Sequence, residues 1–164
     1  MKERSIKSVN DFIVTSCVVT VQLWQLLCCG KTFSIGDKVE WIIKKTNHLS
    51  EVTGKNIEYY YDHHNPNGDE LYKINGMVSK IKAIYYKSKD ILKDVNDKEG
   101  ATFFAVYEKA EEVDTAYGCG DDDWYEDIDG LECYCYEVTL SNYSIQKAKK
   151  PEIAFSCNNL RDLL

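Results

Sequence analysis

The sequence predicts a mostly β protein, a small antiparallel barrel with long loops and little helix, and three observations carry that expectation. Short apolar stretches alternate with polar residues at period two, which places successive side chains on opposite faces of a strand. Tyr favours strands because it joins an apolar body to a polar tip; its twelve copies cluster in Tyr59-Tyr60-Tyr61, Tyr85-Tyr86 and Tyr134-Cys135-Tyr136. Runs at helical period are scarce, and a set of short strands joined by turns buries one face and removes its edges by closing on itself. A chain of 164 residues, 44% hydrophobic and 29% charged, has the size and composition of one globular domain. Residues 12–164 read as that single β-rich domain, and residues 1–11, polar and basic, as a flexible N-terminal arm.

In chain order, Val19, Val21 and Leu23 alternate with Thr20, Gln22 and Trp24, which predicts a strand ending near Cys28-Cys29-Gly30. Val39, Trp41 and Ile43 alternate with Lys38, Glu40 and Lys44, the clearest half-buried strand, with Trp41 inside. Residues 46–56 are polar and read as a loop. Ile57 to Tyr61 then runs into the turn-forming cluster Asp62-His63-His64-Asn65-Pro66-Asn67-Gly68. Asn75-Gly76 opens Met77 to Lys87, one long or bent strand, and residues 88–100 read as a connector. Thr102 to Tyr107 is a short strand, and Glu108 to Thr115 fits either two helical turns or a loop. Tyr134, Tyr136, Val138 and Leu140 alternate with Cys133, Cys135, Glu137 and Thr139 as a further strand; the tail holds an apolar run, Ile153 to Phe155, and a final turn of helix at Leu160 to Leu164.

The net charge of −7 is unevenly placed. Residues 108–132 carry eleven acids against one Lys, a local charge of −10 that leaves +3 for the remainder. An acidic segment on a near-neutral body argues against nucleic-acid binding. Residues 12–29 are uncharged and follow Lys2, Arg4 and Lys7, the outline of a signal peptide, but Val14, Val18, Val19 and Val21 alternate as a strand and no small-residue cleavage site closes the run. Leu27 likewise opposes a lipoprotein site at Cys28. No membrane association is therefore expected, and the seven Cys, an odd number, read as reduced thiols in a cytoplasm.

The stretch Trp24-Gln25-Leu26-Leu27-Cys28-Cys29-Gly30-Lys31-Thr32-Phe33-Ser34-Ile35-Gly36-Asp37-Lys38-Val39-Glu40-Trp41 resembles a family of uncharacterised bacterial proteins with the signature W-Q-x-x-C-C-G-x-x-F-x-[VI]-G-D-x-V-x-W. Asp62-His63-His64 is similar to an acidic-His-His element of that family, and Gly76-Met77-Val78-Ser79-Lys80-Ile81 to its G-x-V-x-x-I strand. The resemblance covers roughly residues 17–87 and implies a domain of unknown function. The pieces F-x-I-G-D-x-V-x-W and G-x-V-x-x-I also resemble the first strands of SH3-like barrels, a likeness of fold that carries no activity.

Among chemistry-bearing residues, Cys28 or Cys29 with His63 or His64 form the metal candidate, since Zn²⁺ takes thiolate and imidazole in tetrahedral sites. Adjacent residues on a strand point oppositely, so each pair must be rotated by a turn to offer two ligands. Buried Cys and surface His are the plainer explanation. Gln25, Cys28 or Cys29, and His63 or His64 also supply an oxyanion donor, a nucleophile and a base for a thiol enzyme, although Cys after a strand lack the helix N-terminus that activates thiols. Cys133 and Cys135 share a face and with Cys119 would make a separate thiol cluster, or else simply face a neighbouring layer. Asp127-Ile128-Asp129-Gly130 resembles half of a calcium loop, but Tyr125 and Tyr136 stand where acids are needed.

Asp121, Asp122, Asp123, Trp124, Tyr125, Glu126 and Asp127 read as an exposed loop, because adjacent carboxylates cannot all be desolvated. Aromatics set among acids offer contact area and fast encounter to a basic protein surface. No nucleotide-binding, nucleophile-elbow or zinc-protease motif is present. The sequence thus favours a non-catalytic binding module meeting a protein partner through this loop, ahead of a zinc-binding protein and a thiol enzyme.

Overall fold

The computed structural model describes residues 15–50, 52–62, 70–91, 102–121 and 130–149. Its elements are β1 (Ser16–Gln22), α1 (Leu23–Cys29), β2 (Phe33–Ser34), β3 (Lys38–Leu49), β4 (Asn56–Tyr61), β5 (Leu71–Ile91), β6 (Thr102–Val113), β7 (Thr115–Ala116) and β8 (Glu132–Lys147). The fold is mostly β, as the alternation predicts. The N-terminal arm, the His63-His64 turn cluster and the C-terminal tail lie outside the described residues.

Six strands form one sheet in the order β3-β4-β1-β8-β5-β6. Because β3 also pairs with β5, the pairings β5-β3-β4-β1-β8 return to β5. All are antiparallel except β1 with β4, a parallel pair in register at Val19–Tyr59 and Thr20–Tyr60, so the expectation of a wholly antiparallel set is corrected there. The long, bent β5 organises the rest. One edge pairs with β8, while the other meets β3 over residues 71–77 and β6 over residues 81–91. Where it changes neighbours, Val78 exchanges backbone hydrogen bonds with the turn after β2: Gly36 N donates to Val78 O and Val78 N to Asp37 O, both at 2.8 Å.

Val19, Val21, Ile43, Ile74, Ile81, Val138 and Leu140 are fully buried in one cluster. Trp41 and Ile43 are buried and Val39 half-buried, with Lys38 and Glu40 exposed, so the inside face expected for β3 is the observed one. Trp41 meets Phe33 at 5.0 Å and Tyr61 at 5.5 Å between ring centroids, both edge-to-face, the geometry that aromatic quadrupoles favour.

Four local expectations are corrected. The strand expected to reach Cys28 stops at Gln22 and residues 23–29 are helical: β-branched Val18, Val19, Thr20 and Val21 give way to Leu23-Trp24-Gln25-Leu26-Leu27, which has no β-branched residue to resist a helix. Residues 46–49, expected in a loop, extend β3, and the turn begins at Ser50, whose Oγ accepts from Val52 N and Thr53 N. Asn75-Gly76 does not open an element but lies inside β5, which starts at Leu71 and runs through residues 88–91 of the expected connector. Gly76 sits at a close approach there, since a Cβ would stand 3.1 Å from Leu140 Cβ and 3.3 Å from Tyr143 Cβ. Glu108 to Val113 is strand, held by pairing of Lys109–Val113 with Ile81–Tyr85.

Along β8, Cys133, Cys135, Tyr136, Val138 and Leu140 are buried. Cys133, Tyr136, Val138 and Leu140 join the main core, whereas Cys135 packs apart from it with Val52 and Ile84, which corrects the expectation that Cys133 and Cys135 share a face. The inner set passes from odd to even after Cys133 because a bulge lies opposite Ile84 and Tyr85 and re-aims the strand by one residue.

Candidate functional site

The helix α1 sets the geometry around the cysteine pair. It buries Gln25 and Leu26 and closes on Gly30, whose N–H donates to Leu26 O at 2.9 Å. Adjacent residues on a helix diverge by about 100°, so Cys28 is exposed while Cys29 turns inward, half-buried, one turn from Gln25 O. Cys29 lines a cleft of about 460 Å³ between the end of α1 and the start of β3, floored by Phe33, Val39, Trp41 and Tyr61. The Tyr61 hydroxyl titrates well above the usual range, first because it is buried and then because the Cys29 thiolate would lie beside it.

The root of the acidic segment is fastened to the same place. The β2–β7 ladder pairs Phe33 with Ala116 and Ser34 with Thr115, and contacts between residues 30–32 and 118–121 follow beyond it. Cys119 N donates to Gly30 O at 2.9 Å, Gly118 N donates to Thr32 Oγ1 at 2.8 Å, and Thr32 Oγ1 donates to the Asp121 carboxylate. A Cβ on Gly118 would stand 2.6 Å from Thr32 N and 2.7 Å from Lys31 C, so only Gly permits this crossing. Thr32 itself lines the cleft. The Cys28-Cys29 region and the start of the acidic segment, 89 residues apart at Thr32 and Asp121, are therefore brought together.

Of the residues singled out in the sequence, Gln25, Cys28, Cys29, Cys119, Asp121, Cys133 and Cys135 are described, and Asp121 is exposed. His63, His64, Asp122, Asp123, Trp124, Tyr125, Glu126 and Asp127 lie outside the described residues. Among the described residues no group of three or more His, Cys, Asp or Glu is arranged to hold a metal ion. Cys119 is exposed beside Gly30, whereas Cys133 and Cys135 are buried. Burial pushes the Cys133 thiol up to about 12 and the Cys135 thiol further up, and with Glu58 it raises Cys17 to about 11. Cys133 and Cys135 are small buried hydrophobes and Cys17 a half-buried one, and none is activated as a nucleophile.

Sequence patterning did not single out Thr32, Gly118 or Tyr61. Gly118 reads locally as a loosening residue, and its role as a crossing point depends on a segment more than 80 positions away. No helix among the described residues is long and apolar enough to cross a membrane.

A family model described as a family of unknown function (DUF6578) matches residues 15–138, from the start of β1 into β8. No curated protein and no solved structure matches the chain.

Proposed function

The chain belongs to that family of unknown function, and from this premise we propose that it is a non-catalytic binding module that meets a basic protein surface through the acidic segment beginning at Asp121. The observation that carries the reading is the Thr32–Asp121 hydrogen bond, which ties the root of the acidic loop to the rim of a cleft. A loop anchored at its root loses less conformational freedom on binding, and its carboxylates speed encounter with a cationic partner. The cycle of strand pairings supports a small barrel of SH3-like type as the rigid body behind it. Thiols rather than disulfides at the described cysteines support a cytoplasmic setting.

The test uses decalysine as a surrogate basic surface, with association followed at low and high salt. The variant Asp121→Asn/Asp122→Asn/Asp123→Asn is expected to associate more slowly and with a weaker salt dependence, at unchanged stability. Equal rates for wild type, this variant and Trp124→Ala would sink the proposal.

A second reading, a zinc-binding protein using Cys28 or Cys29 with His63 or His64, is favoured by one observation: Tyr61, two positions before His63, lines the same cleft as Cys29. Stoichiometric zinc in protein purified without a His tag would support it, and its absence from zinc-supplemented preparations would remove it. A thiol enzyme has less support, since thiolates gain from the amide end of a helix and Cys28 and Cys29 occupy the carbonyl end of α1. The Gln25 amide, the oxyanion donor such an enzyme would need, points to Gln22 Oε1 at 3.4 Å.

A further inference from the structure

The cleft at the end of α1 has a chemistry of its own. Its volume, about 460 Å³, falls in the range of roughly 300 to 1,000 Å³ typical of small-molecule sites. The floor is apolar and rigid: Trp41 is wedged edge-to-face between Phe33 and Tyr61, and Val39 completes it. Four charged side chains line it, Lys31, Asp37, Lys38 and Glu40.

The two acids are already engaged. Asp37 Oδ2 accepts from Ser34 N at 2.8 Å, and Glu40 pairs with Lys73, whose side chain is mostly buried, at 2.7 Å. Asp121, reaching the rim, accepts from Thr32. Lys31 and Lys38 are exposed and, among the described residues, have no carboxylate within ion-pair distance. A cation entering the cleft would meet two ammonium groups that no described carboxylate neutralises, with Phe33 and Tyr61 ring contacts already occupying Trp41. An anion would meet donors free to engage it.

We propose that this cleft binds a small aromatic carboxylate, its ring on the floor formed by Val39, Trp41 and Tyr61 and its carboxylate held at the rim by Lys31 and Lys38. The ring supplies apolar contact area and the paired lysines select the charge. This site is independent of the partner reading, because it uses neither the acidic loop beyond Asp121 nor a protein partner.

The experiment compares three probes on the full chain by titration calorimetry: 2-naphthoate, its uncharged analogue 2-naphthamide, and acetate. Saturable binding of naphthoate is expected, with naphthamide weaker and acetate undetected. Lys31→Gln/Lys38→Gln should weaken naphthoate about ten-fold, as loss of charge-assisted hydrogen bonds would, and leave naphthamide unchanged. Both lysines are exposed, so the variant should keep the wild-type Tm, and loss of binding then reports the cleft. Amide shifts in an NMR titration should centre on Thr32, Lys38 and Val39. The proposal is overturned by no saturable naphthoate binding, by equal affinities for naphthoate and naphthamide, by a double variant that binds as wild type, or by shifts centred elsewhere.

Discussion

Along β3, β5 and β8 the inner residues are held by strand partners and by core neighbours, whereas the corner from Cys28 to Thr32 is joined to residues 118–121 by hydrogen bonds at single residues. In the first region one lost contact leaves many others in place, but a deleted side chain leaves a cavity that close packing cannot fill. In the second, a side chain removed from the surface changes little while one atom added to the backbone crossing displaces a whole segment. The two regions should therefore fail to opposite kinds of substitution.

Deletion in the packed region is expected to produce the largest effect. Trp41→Ala should lower stability by about 3 to 5 kcal/mol in chemical denaturation, because it empties the centre of the Phe33–Trp41–Tyr61 contact. A loss under about 1 kcal/mol would place Trp41 outside the core and break the contrast.

Addition in the corner comes next. Gly118→Ala forces a methyl group against the Thr32 and Lys31 backbone and should cost about 1 to 3 kcal/mol, the usual penalty of overpacking. Faster hydrogen exchange at the Cys119 amide would locate the damage. Wild-type stability and exchange would mean that the crossing is not tight.

A pH dependence separates the regions further. An unfolded Cys titrates near 9.0, whereas buried Cys133 keeps its proton up to about 12. Across that window the unfolded chain holds fewer protons than the folded one, so stability falls as pH rises. Cys133 contributes at most about 1.4 kcal/mol per pH unit. Cys133→Ala should make the decline shallower, and an unchanged slope would contradict burial of this thiol.

The smallest effect is expected at Trp24, which is 55% exposed on α1 against 8% for Trp41. Trp24→Ala should shift stability by less than about 1 kcal/mol, as surface changes do. A core-sized loss would mean that α1 is held by its outer face.

Legibility in the sequence follows the same division. Trp41 and Ile43 against Lys38 and Glu40 is an alternation long enough to fix the inside of β3. Leu23 to Cys29 is only seven residues, too few to separate period two from period 3.6, and the residues before it set a misleading strand pattern. On β8 the bulge moves the core-facing set from odd Cys133 to even Tyr136, which no local pattern encodes. The parallel β1–β4 pair is a long-range choice of neighbour, and the alternation of each strand is silent about it. For the candidate site, residue type was enough to single out Cys28, Cys29 and Asp121 separately. Their convergence rests on Thr32 and Gly118, whose chemistry is ordinary until the fold opposes them.

The hydrogen bond between Thr32 and Asp121 spans 89 residues of chain, and that from Gly118 to Thr32 spans 86. Contacts of such sequence separation form only after the intervening strands have brought their ends close, since the entropy of closing the loop must be met first. During synthesis the end of α1 emerges long before residues 118–121 exist. A nascent chain that has already assembled β1 to β5 would thus present Cys28 and the open cleft to its surroundings for the time taken to make and place β6 and β7, and the corner is expected to be among the last parts of the molecule to reach its final form.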